Sequence, residues 1–395
     1  MKNEVNVVED TSTSRPFPLP AIFPLSLLGI LLLVLLLPPF GILITGYELP
    51  ESFTIFPIPI EPGTSSISWP AWVMVALFTT ITIAPSVWRF FQYAVTTDQS
   101  SQQAHPFPWW GWLAILWTAS SWMFAWTRFS WVFPFQPHTF PLLWFGYIVT
   151  LNALSYQRSR TCLIVNRPRF TGYLFLLSAG FWWTFEYLNQ FVKNWHYVNV
   201  PDTSDLAYIF FTSLAFSTVL PAVLSTYEWL TTFPRLTKPF ENWYPLPWLG
   251  HRGTGWMAFS VGALGLSLIG LWPTLLFPVL WLSPLMLLLG IQFLRKKQTC
   301  FHLLGQGDWR PVMLSALAAL VCGFWWEIWN AYSLVHWEYT IPFVHALKIF
   351  EMPVLGYAGY LPFGLLCLVI TEVGLGYRTN RPWIEESQTW RGNAP

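Results

Sequence analysis

Two glutamates stand inside strongly apolar, aromatic stretches of the chain, and their chemistry depends on that setting. Glu186 lies in Gly180–Pro201, which reads GFWWTFEYLNQFVKNWHYVNVP, and Glu327 lies in Gly323–Pro342, which reads GFWWEIWNAYSLVHWEYTIP. A carboxyl group that is removed from water holds its proton more tightly and can act as a general acid. The two stretches therefore predict one outer-leaflet pocket for proton transfer, with Glu186 and Glu327 as its polar centre.

An asparagine follows each glutamate at the same spacing. Asn189 comes three residues after Glu186, and Asn330 comes three residues after Glu327. Residues three apart share one face of a helix, so we expect each asparagine to orient its carboxyl group, and we predict these four residues as catalytic. The alternative is structural, because Glu–Asn pairs also join helices through hydrogen bonds worth ~0.6–2 kcal/mol in membranes.

Aromatic residues surround both glutamates. Tryptophan pairs lie one turn deeper in each stretch, where their ring faces could stabilise a cation on a bound substrate. The predicted substrate-binding residues are Trp182, Trp183, Trp325, Trp326, Tyr339 and Glu351. The aromatic residues beyond the glutamates (Trp195, Tyr197, Trp337, Tyr339) are interpreted most simply as a belt at the membrane–water interface.

The composition indicates which elements must position these residues. The chain has 395 residues, of which 54% are hydrophobic and only 10% charged, whereas soluble domains carry about 25% charged residues. Runs near 20 apolar residues span a bilayer as helices, because backbone groups in lipid must be paired within the segment. Ten such runs are present, at 17–46, 70–88, 109–126, 141–156, 171–190, 206–229, 256–272, 274–294, 311–330 and 355–376.

The charges predict the orientation of these runs. With the N-terminus inside, the inner segments hold 17 of the 20 Lys and Arg residues, and the outer segments hold three. This positive-inside bias predicts a multi-pass protein of the plasma (inner) membrane with both termini cytoplasmic. The first run is long, follows an acidic tail and lacks an Ala-x-Ala site, so we expect no cleaved signal peptide.

The chain also repeats itself. Phe140–Trp144 (FPLLW) recurs as Phe277–Trp281 (FPVLW), and Arg158–Cys162 (RSRTC) recurs as Lys296–Cys300 (KKQTC), at offsets of 137 and 138 residues. The GFWW phrases recur at an offset of 143 residues. Ordered matches at similar offsets indicate duplication.

We therefore predict an all-α fold of about ten transmembrane helices, with two parallel four-helix repeats after an N-terminal helix pair. The predicted boundaries are 1–16 for the cytoplasmic tail, 17–104 for helices one and two, 105–255 for repeat A, 256–377 for repeat B and 378–395 for the C-terminal tail. Parallel repeats are related by an axis along the membrane normal.

Other functional classes receive no support from the sequence. The four cysteines form no pair motif, so structural disulfides are not expected. Histidines are not clustered, and there is no HExxH, P-loop or Asp-rich diphosphate motif, so we predict no metal and no cofactor. The net charge of +1 and the lack of a basic aromatic patch indicate no nucleic-acid partner; the expected partners are the bilayer and an apolar lipid.

The repeated motifs resemble the membrane lycopene cyclases of the heterodimeric or fused type, which act in carotenoid biosynthesis. That family carries tandem helical repeats with an acidic residue near a span end, a Trp-x-Tyr/Phe-x-x-Pro segment and a Leu-Pro-x-Glu-Glu motif. Glu186 and Glu327 match the acidic position, and Met352-Pro353 match Leu-Pro, whereas Leu355-Gly356 replace the Glu-Glu pair. The resemblance implies a related fold and an isoprenoid substrate.

Three functions follow as hypotheses. The first is an enzyme that acts on an isoprenoid or other apolar lipid by acid–base chemistry. The second is a non-enzymatic membrane scaffold or complex subunit. The third is a proton- or cation-coupled transporter, although neither half shows the short or Gly-broken spans that often mark a transport site.

Overall fold

The computed structural model describes residues 25–49, 53–54, 62–63, 66–96 and 105–374. Helices account for 72% of the structure. The helices are α1 (Leu25–Ile44), α2 (Trp69–Thr96), α3 (Trp109–Trp126), α4 (Thr139–Ser159), α5 (Leu163–Asn166), α6 (Pro168–Val192), α7 (Asp205–Phe216), α8 (Val219–Thr231), α9 (Pro234–Thr237), α10 (Arg252–Ile269), α11 (Pro273–Leu276), α12 (Val279–Leu294), α13 (Arg310–Ala331) and α14 (Tyr360–Gly374). The predicted tails at 1–16 and 378–395 lie outside the described residues.

Among the described residues, five helical segments are long and apolar enough to cross a membrane. They are Leu27–Ile44, Trp69–Tyr93, Asp205–Thr231, Arg310–Ala331 and Val354–Gly374. The prediction of a helical membrane protein is confirmed at this level. Each of the other predicted runs also contains a helix, but those helices are shorter or less apolar.

Local sequence signals set the ends of the two helices that carry the glutamates. Both α6 and α13 have a proline in the first turn, where its missing N–H costs no hydrogen bond. Helix α6 ends at Val192, and the next residue, Lys193, has a left-handed backbone (φ 50°) and donates its N–H to the carbonyl of Asn189 at 2.7 Å. This left-handed cap turns the chain back toward the helix it has just left.

The sixth predicted run is interrupted, which corrects the expectation of unbroken spans. Helix α7 ends at Phe216 and α8 begins at Val219. Ser178 of α6 fills the break: its hydroxyl donates to the carbonyl of Phe216 at 2.6 Å and accepts the N–H of Leu220 at 3.0 Å. At membrane depth no water is present to bind the backbone groups that a helix break leaves unpaired. A polar side chain from a neighbouring helix supplies the missing hydrogen bonds. The sequence did not reveal the break, since no glycine marks it.

The first half of the bundle (residues 105–255) and the second half (residues 256–374) pack against each other through reciprocal contacts. Trp144, at the end of the FPLLW phrase in α4, lies 5.0 Å from the ring of Trp326 in α13. Trp281, at the end of the FPVLW phrase in α12, stacks on Phe185 of α6 at 4.9 Å. Each repeated tryptophan thus reaches the glutamate helix of the opposite half.

Short strands join the halves beyond the helix ends, and they were not predicted. Strand β1 (Trp195–Val198) pairs antiparallel with β2 (His336–Tyr339). Trp195 opposes Tyr339 and His196 opposes Glu338, so the paired W-x-Y triplets are related by a local two-fold axis between His196 and Glu338. A second small pair, β3 (Lys348–Ile349) with β4 (Met352–Pro353), precedes α14.

Candidate functional site: an aromatic cavity beside two buried glutamates

A cavity of about 660 Å³ lies between the halves, next to the ends of α6 and α13. The strand pair β1–β2 lines it, together with residues of α2, α4, α7, α12 and the first turn of α14. The wall is dominated by aromatic rings, among them Trp182, Trp195, Trp281, Trp326, Trp337 and Phe363. Its volume falls in the range of small-molecule pockets, roughly 300–1,000 Å³.

Glu186 is buried just behind this wall, with 4% of its surface exposed. Three donors converge on its Oε1 atom: the indole Nε1 of Trp182 at 2.9 Å, the indole Nε1 of Trp195 at 3.2 Å and the hydroxyl of Tyr197 at 2.6 Å. The last distance is typical of a hydroxyl that donates to a carboxylate. The arrangement stabilises the ionised form of Glu186.

Glu327 occupies the equivalent place in the second half but has different partners. Its Oε1 accepts the hydroxyls of Tyr339 at 2.6 Å and Tyr360 at 2.8 Å. Its Oε2 is buried without a hydrogen-bond partner. Buried polar atoms almost always have partners, so the incomplete shell of Glu327 sets it apart from Glu186.

A glycine explains why the two shells differ. Four residues before Glu186 the helix carries Trp182, which donates to the carboxylate; four residues before Glu327 it carries Gly323. A Cβ atom at Gly323 would collide with the ring of Tyr360. The absence of a side chain therefore admits Tyr360 from α14, and its hydroxyl takes the place of the indole.

The carboxyl groups do not line the cavity themselves, and the hydroxyl groups that join them to it belong to tyrosines. Tyr197, Tyr339 and Tyr360 line the cavity, whereas neither Glu186 nor Glu327 is among its lining residues. Burial and the neighbouring charge of Glu327 raise the pKa of Tyr339 well above its usual value, so its phenol stays protonated. A proton that moves between a glutamate and a molecule in the cavity must therefore pass through a phenol.

The asparagines hold the strands and do not touch the carboxyl groups. Asn189 donates to the carbonyl of Trp195 at 2.8 Å and accepts the N–H of Asn194 at 2.8 Å. Asn330 binds the backbone of Trp337 on both sides, donating to its carbonyl at 2.7 Å and accepting its N–H at 2.8 Å. The expectation that they orient the acid directly is corrected: they fix the strands whose side chains do so.

The four predicted tryptophans divide into two groups. Trp182 and Trp326 line the cavity. Trp183 lies outside the lining and donates to the hydroxyl of Ser213 at 2.9 Å. Trp325 also lies outside it and packs among other tryptophans. Neighbouring residues on a helix point about 100° apart, so only one of each pair can face the cavity.

Glu351 lies away from the cavity wall. It forms an ion pair with Lys348 at 3.7 Å, in the β3–β4 hairpin, and its side chain is 30% exposed. Glu351 therefore lies in a solvated, charged setting and not in the apolar wall. Of the predicted non-tryptophan binding residues, Tyr339 lines the cavity and Glu351 does not.

The interpretation of the outer aromatic residues as an interface belt was wrong. Trp195 is 5% exposed and donates inward to Glu186, and Trp337 donates to the hydroxyl of Tyr339 at 2.7 Å. The recurrence of Trp-x-Tyr at nearly the same distance after each glutamate was the signal that could have shown this. Tyr360 carries no such signal, because it comes from a separate helix.

Two histidines also reach the cavity. His138 lines it and stacks on Phe211 at 3.7 Å, and His336 lies in its wall at the start of β2. Burial lowers the pKa of His138, which favours a neutral ring. Within the described residues, no group of three or more His, Cys, Asp or Glu side chains is arranged to hold a metal ion.

Comparisons with known proteins identify no relative: no protein-family model, no curated protein and no solved structure matches the chain. The site must therefore be interpreted from its own geometry.

Proposed function

We propose that the protein binds an apolar lipid of the isoprenoid type in the aromatic cavity and isomerises it by acid–base chemistry. One observation carries the proposal: both buried glutamates lie directly behind tyrosine hydroxyls that form part of an otherwise apolar, aromatic wall. A wall of this kind excludes water while providing two routes for a proton. The matching motifs at Glu186 and Glu327 also resemble those of the membrane lycopene cyclases.

The two glutamates have different hydrogen-bond partners, and we assign them different roles for that reason. Glu327, with its unpartnered Oε2, serves as the acid: Tyr339 or Tyr360 donates a proton to a double bond of the lipid and takes one back from the Glu327 carboxyl. Glu186, with three donors, serves as the base: Tyr197 takes a proton from the resulting carbocation and passes its own to Glu186. One proton enters the lipid and one leaves it, so the product is an isomer and no electrons are transferred.

The cation between these steps is stabilised by the ring faces of the wall. Cation–π contacts with tryptophan contribute about 2 kcal/mol or more when desolvated. The lining tryptophans Trp182, Trp281 and Trp326 supply such faces. Asn189 and Asn330 act as positioning residues, since they hold the strands that carry the tyrosines.

The decisive experiment follows deuterium. Purified protein in nanodiscs is incubated in D₂O with the lipids that co-purify with it, and deuterium in those lipids is measured by mass spectrometry. We expect incorporation by the wild type and a loss of about 100-fold or more for Glu327→Gln, the usual scale of a general acid. Glu186→Gln should also lower the rate, because the proton then has no acceptor.

A matched variant controls for the loss of a buried carboxyl group. Glu372 in α14 is 2% exposed and accepts the backbone N–H of Cys300 at 2.9 Å, remote from the cavity. Glu372→Gln should leave incorporation unchanged. Full incorporation by Glu327→Gln would mean that the repeated glutamates serve packing alone, as in a membrane scaffold or complex subunit.

The membrane arrangement proposed with this function has all ten apolar runs crossing the inner membrane and both termini in the cytoplasm. It is supported by the distribution of Lys and Arg and by the reciprocal contacts of Trp144 and Trp281. The strand pair and the cavity then lie on the outer side. Topology reporters placed after Trp390 and within 51–68 test it, and a periplasmic C-terminus or a cytoplasmic first loop would overturn it.

A second candidate, a proton-coupled transporter, is favoured by the interrupted sixth run. Helix α8 begins beside the cavity at Val219, and α14 begins beside it at Tyr360. Broken spans whose half-helix ends meet at a central site are common in transporters. In that case a pH gradient across proteoliposomes would drive solute uptake, and the lipid would gain no deuterium.

A further inference from the structure

We infer that the cavity receives only one end of a long apolar lipid, which enters sideways from the hydrocarbon core of the bilayer through a gap between α2 and α7. This inference rests on the proposed function, because it names the kind of lipid that the same cavity takes.

Helix α2 is fixed at both ends. At its outer end, Ser68 donates its N–H to the carbonyl of Phe343 at 3.1 Å, next to a bridge between Ile67 and Val344. At its inner end, the Arg89 guanidinium donates to the carbonyl of Pro239 and lies over the ring of Trp243 at 5.6 Å. The two attachments hold the helix beside the bundle, and near its inner end the hydroxyl of Ser86 lies 3.7 Å from the sulfur of Met313 in α13.

The middle of α2 forms an open side of the cavity. Of the residues in the span Trp69–Tyr93, only Ser86 is buried. Phe78 lines the cavity although 72% of its surface is exposed, and Val75 lines it with 37% exposed. A residue can satisfy both conditions only where the cavity opens to the surroundings of the protein.

Helix α7 forms the opposite edge of the gap. Ala207, Phe211 and Thr212 line the cavity from this helix, and Phe211 is 36% exposed. On α2 the lining residues run from Val75 to Ile83, which at a rise of about 1.5 Å per residue lie roughly 9–21 Å below its outer end at Trp69. These depths fall inside the hydrocarbon core of a bilayer, which is about 30 Å thick, and lie on both sides of its midplane at roughly 15 Å.

The size of the cavity limits how much lipid it holds. At about 30 Å³ for each water-sized group, a volume of about 660 Å³ accommodates on the order of 20 methylene-sized groups. Part of a longer chain must therefore remain outside the cavity. The gap between α2 and α7 opens to the hydrocarbon of the bilayer, in which such a chain is soluble. The structure therefore favours an extended lipid over a compact one.

Plugging the gap tests the inference with two polyprenols of different length. Thr79 on α2 and Thr212 on α7 both line the cavity, and Thr79→Trp or Thr212→Trp would obstruct the opening. Val261→Trp is the matched control, because Val261 is 55% exposed on α10 and is not part of the lining. Each protein, delipidated and placed in nanodiscs, is offered farnesol or undecaprenol, and the retained lipid is measured by mass spectrometry.

The added tryptophan narrows the gap, through which undecaprenol must stay threaded while it is bound, whereas farnesol needs the gap only for passage and then fits inside the cavity. After equilibration we therefore expect the plugged variants to lose undecaprenol by about tenfold, or 1.4 kcal/mol, and to keep farnesol at the wild-type level. Val261→Trp should retain both. Equal retention of undecaprenol by plugged and wild-type protein would overturn the lateral opening, as would loss of both lipids alike. Failure of the wild type to retain either polyprenol would instead refute the proposed function.

Discussion

Single residues distinguish the two glutamate sites. Glu186 takes all three of its donors from its own neighbourhood, whereas Glu327 depends on a tyrosine that arrives from α14. The difference depends on one position, where Trp182 in the first half corresponds to Gly323 in the second. The two glutamate sites therefore provide matched variants of each other.

Gly323→Ala should damage the second site, and Gly180→Ala should not damage the first. A Cβ at Gly323 would collide with Tyr360, whereas one at Gly180 meets nothing within 4 Å. We expect a loss of about 1–3 kcal/mol in unfolding free energy for Gly323→Ala with reduced deuterium incorporation. Gly180→Ala should raise the free energy of unfolding by about 0.5–1 kcal/mol, because alanine favours the helical conformation more than glycine does. Equal effects in denaturant titrations would show that Tyr360 is not held by this contact.

Asn330→Ala should loosen the attachment of β2. The side chain is 1% exposed and binds both the carbonyl and the N–H of Trp337, and each buried group left without a partner costs about 1–3 kcal/mol. We expect a comparable fall in unfolding stability, accompanied by faster hydrogen exchange in His336–Tyr339. Asn199→Ala is the control, because its bond to the Leu334 carbonyl is exposed. An unchanged exchange rate at β2 would argue against this role.

Residue type and spacing were enough to locate Glu186 and Glu327, because a carboxyl group inside an apolar run is costly and indicates a function or a buried partner. They were not enough to locate Tyr360. Its contact with Glu327 depends on how α14 packs against α13, and a chain pattern carries no signal for a partner that lies 33 positions away. Trp195 was misassigned because a belt and a buried cluster have the same composition.

At the scale of elements, close helix packing depends on glycines. Gly290 of α12 faces α10, and a Cβ there would lie 2.6 Å from the backbone nitrogen of Phe259 and 2.9 Å from the carbonyl oxygen of Gly255. Backbone atoms cannot move aside as side chains do, so the two helices would have to separate.

Gly290→Leu should therefore destabilise the protein by about 3 kcal/mol, at the upper end for overpacking. The matched change is Gly253→Leu in α10, where a Cβ meets nothing within 4 Å and surface substitutions usually stay within about 0.5 kcal/mol. Thermal unfolding in detergent compares the two. A small effect at Gly290 would indicate that α10 and α12 are held apart in solution.

Apolar length predicted the helices well, because a run such as Arg310–Ala331 can hardly be anything else in a membrane. It failed at the break between Phe216 and Val219, where the residue that satisfies the backbone, Ser178, comes from another helix. Apolar length also failed to predict β1 and β2. Strands of four residues are too short to show an alternating pattern, and each pairs only with a strand from the opposite half.

At the scale of the whole molecule, the strand pair is the place to test how the halves meet. His196 and Glu338 are directly opposed, and opposed residues in antiparallel strands have Cα atoms about 4.5–5.5 Å apart, within the range for a disulfide. The double variant His196→Cys/Glu338→Cys should form one under oxidation, while the four native cysteines are buried.

The disulfide is detected by cutting the chain between the halves with a protease, at a site inserted near Gly250. On a non-reducing gel the double variant should stay at full length, and each single variant should separate into two fragments. Separation of the double variant would contradict the pairing of β1 with β2. The superposition of 105–255 on 256–377 by rotation about the membrane normal remains a prediction.

The pairing of β1 with β2 also has a consequence for biosynthesis. The donors to Glu186 all belong to the first half, so that site can be completed while the ribosome is still translating the second. Strand β1, in contrast, has no pairing strand until β2 is synthesised roughly 140 residues later. At about 5–20 residues per second, this delay is on the order of ten seconds. During that interval its free edge is open to any extended chain. A slow stretch of translation before β2 would thus lower the yield of assembled protein without changing a single contact in the mature fold.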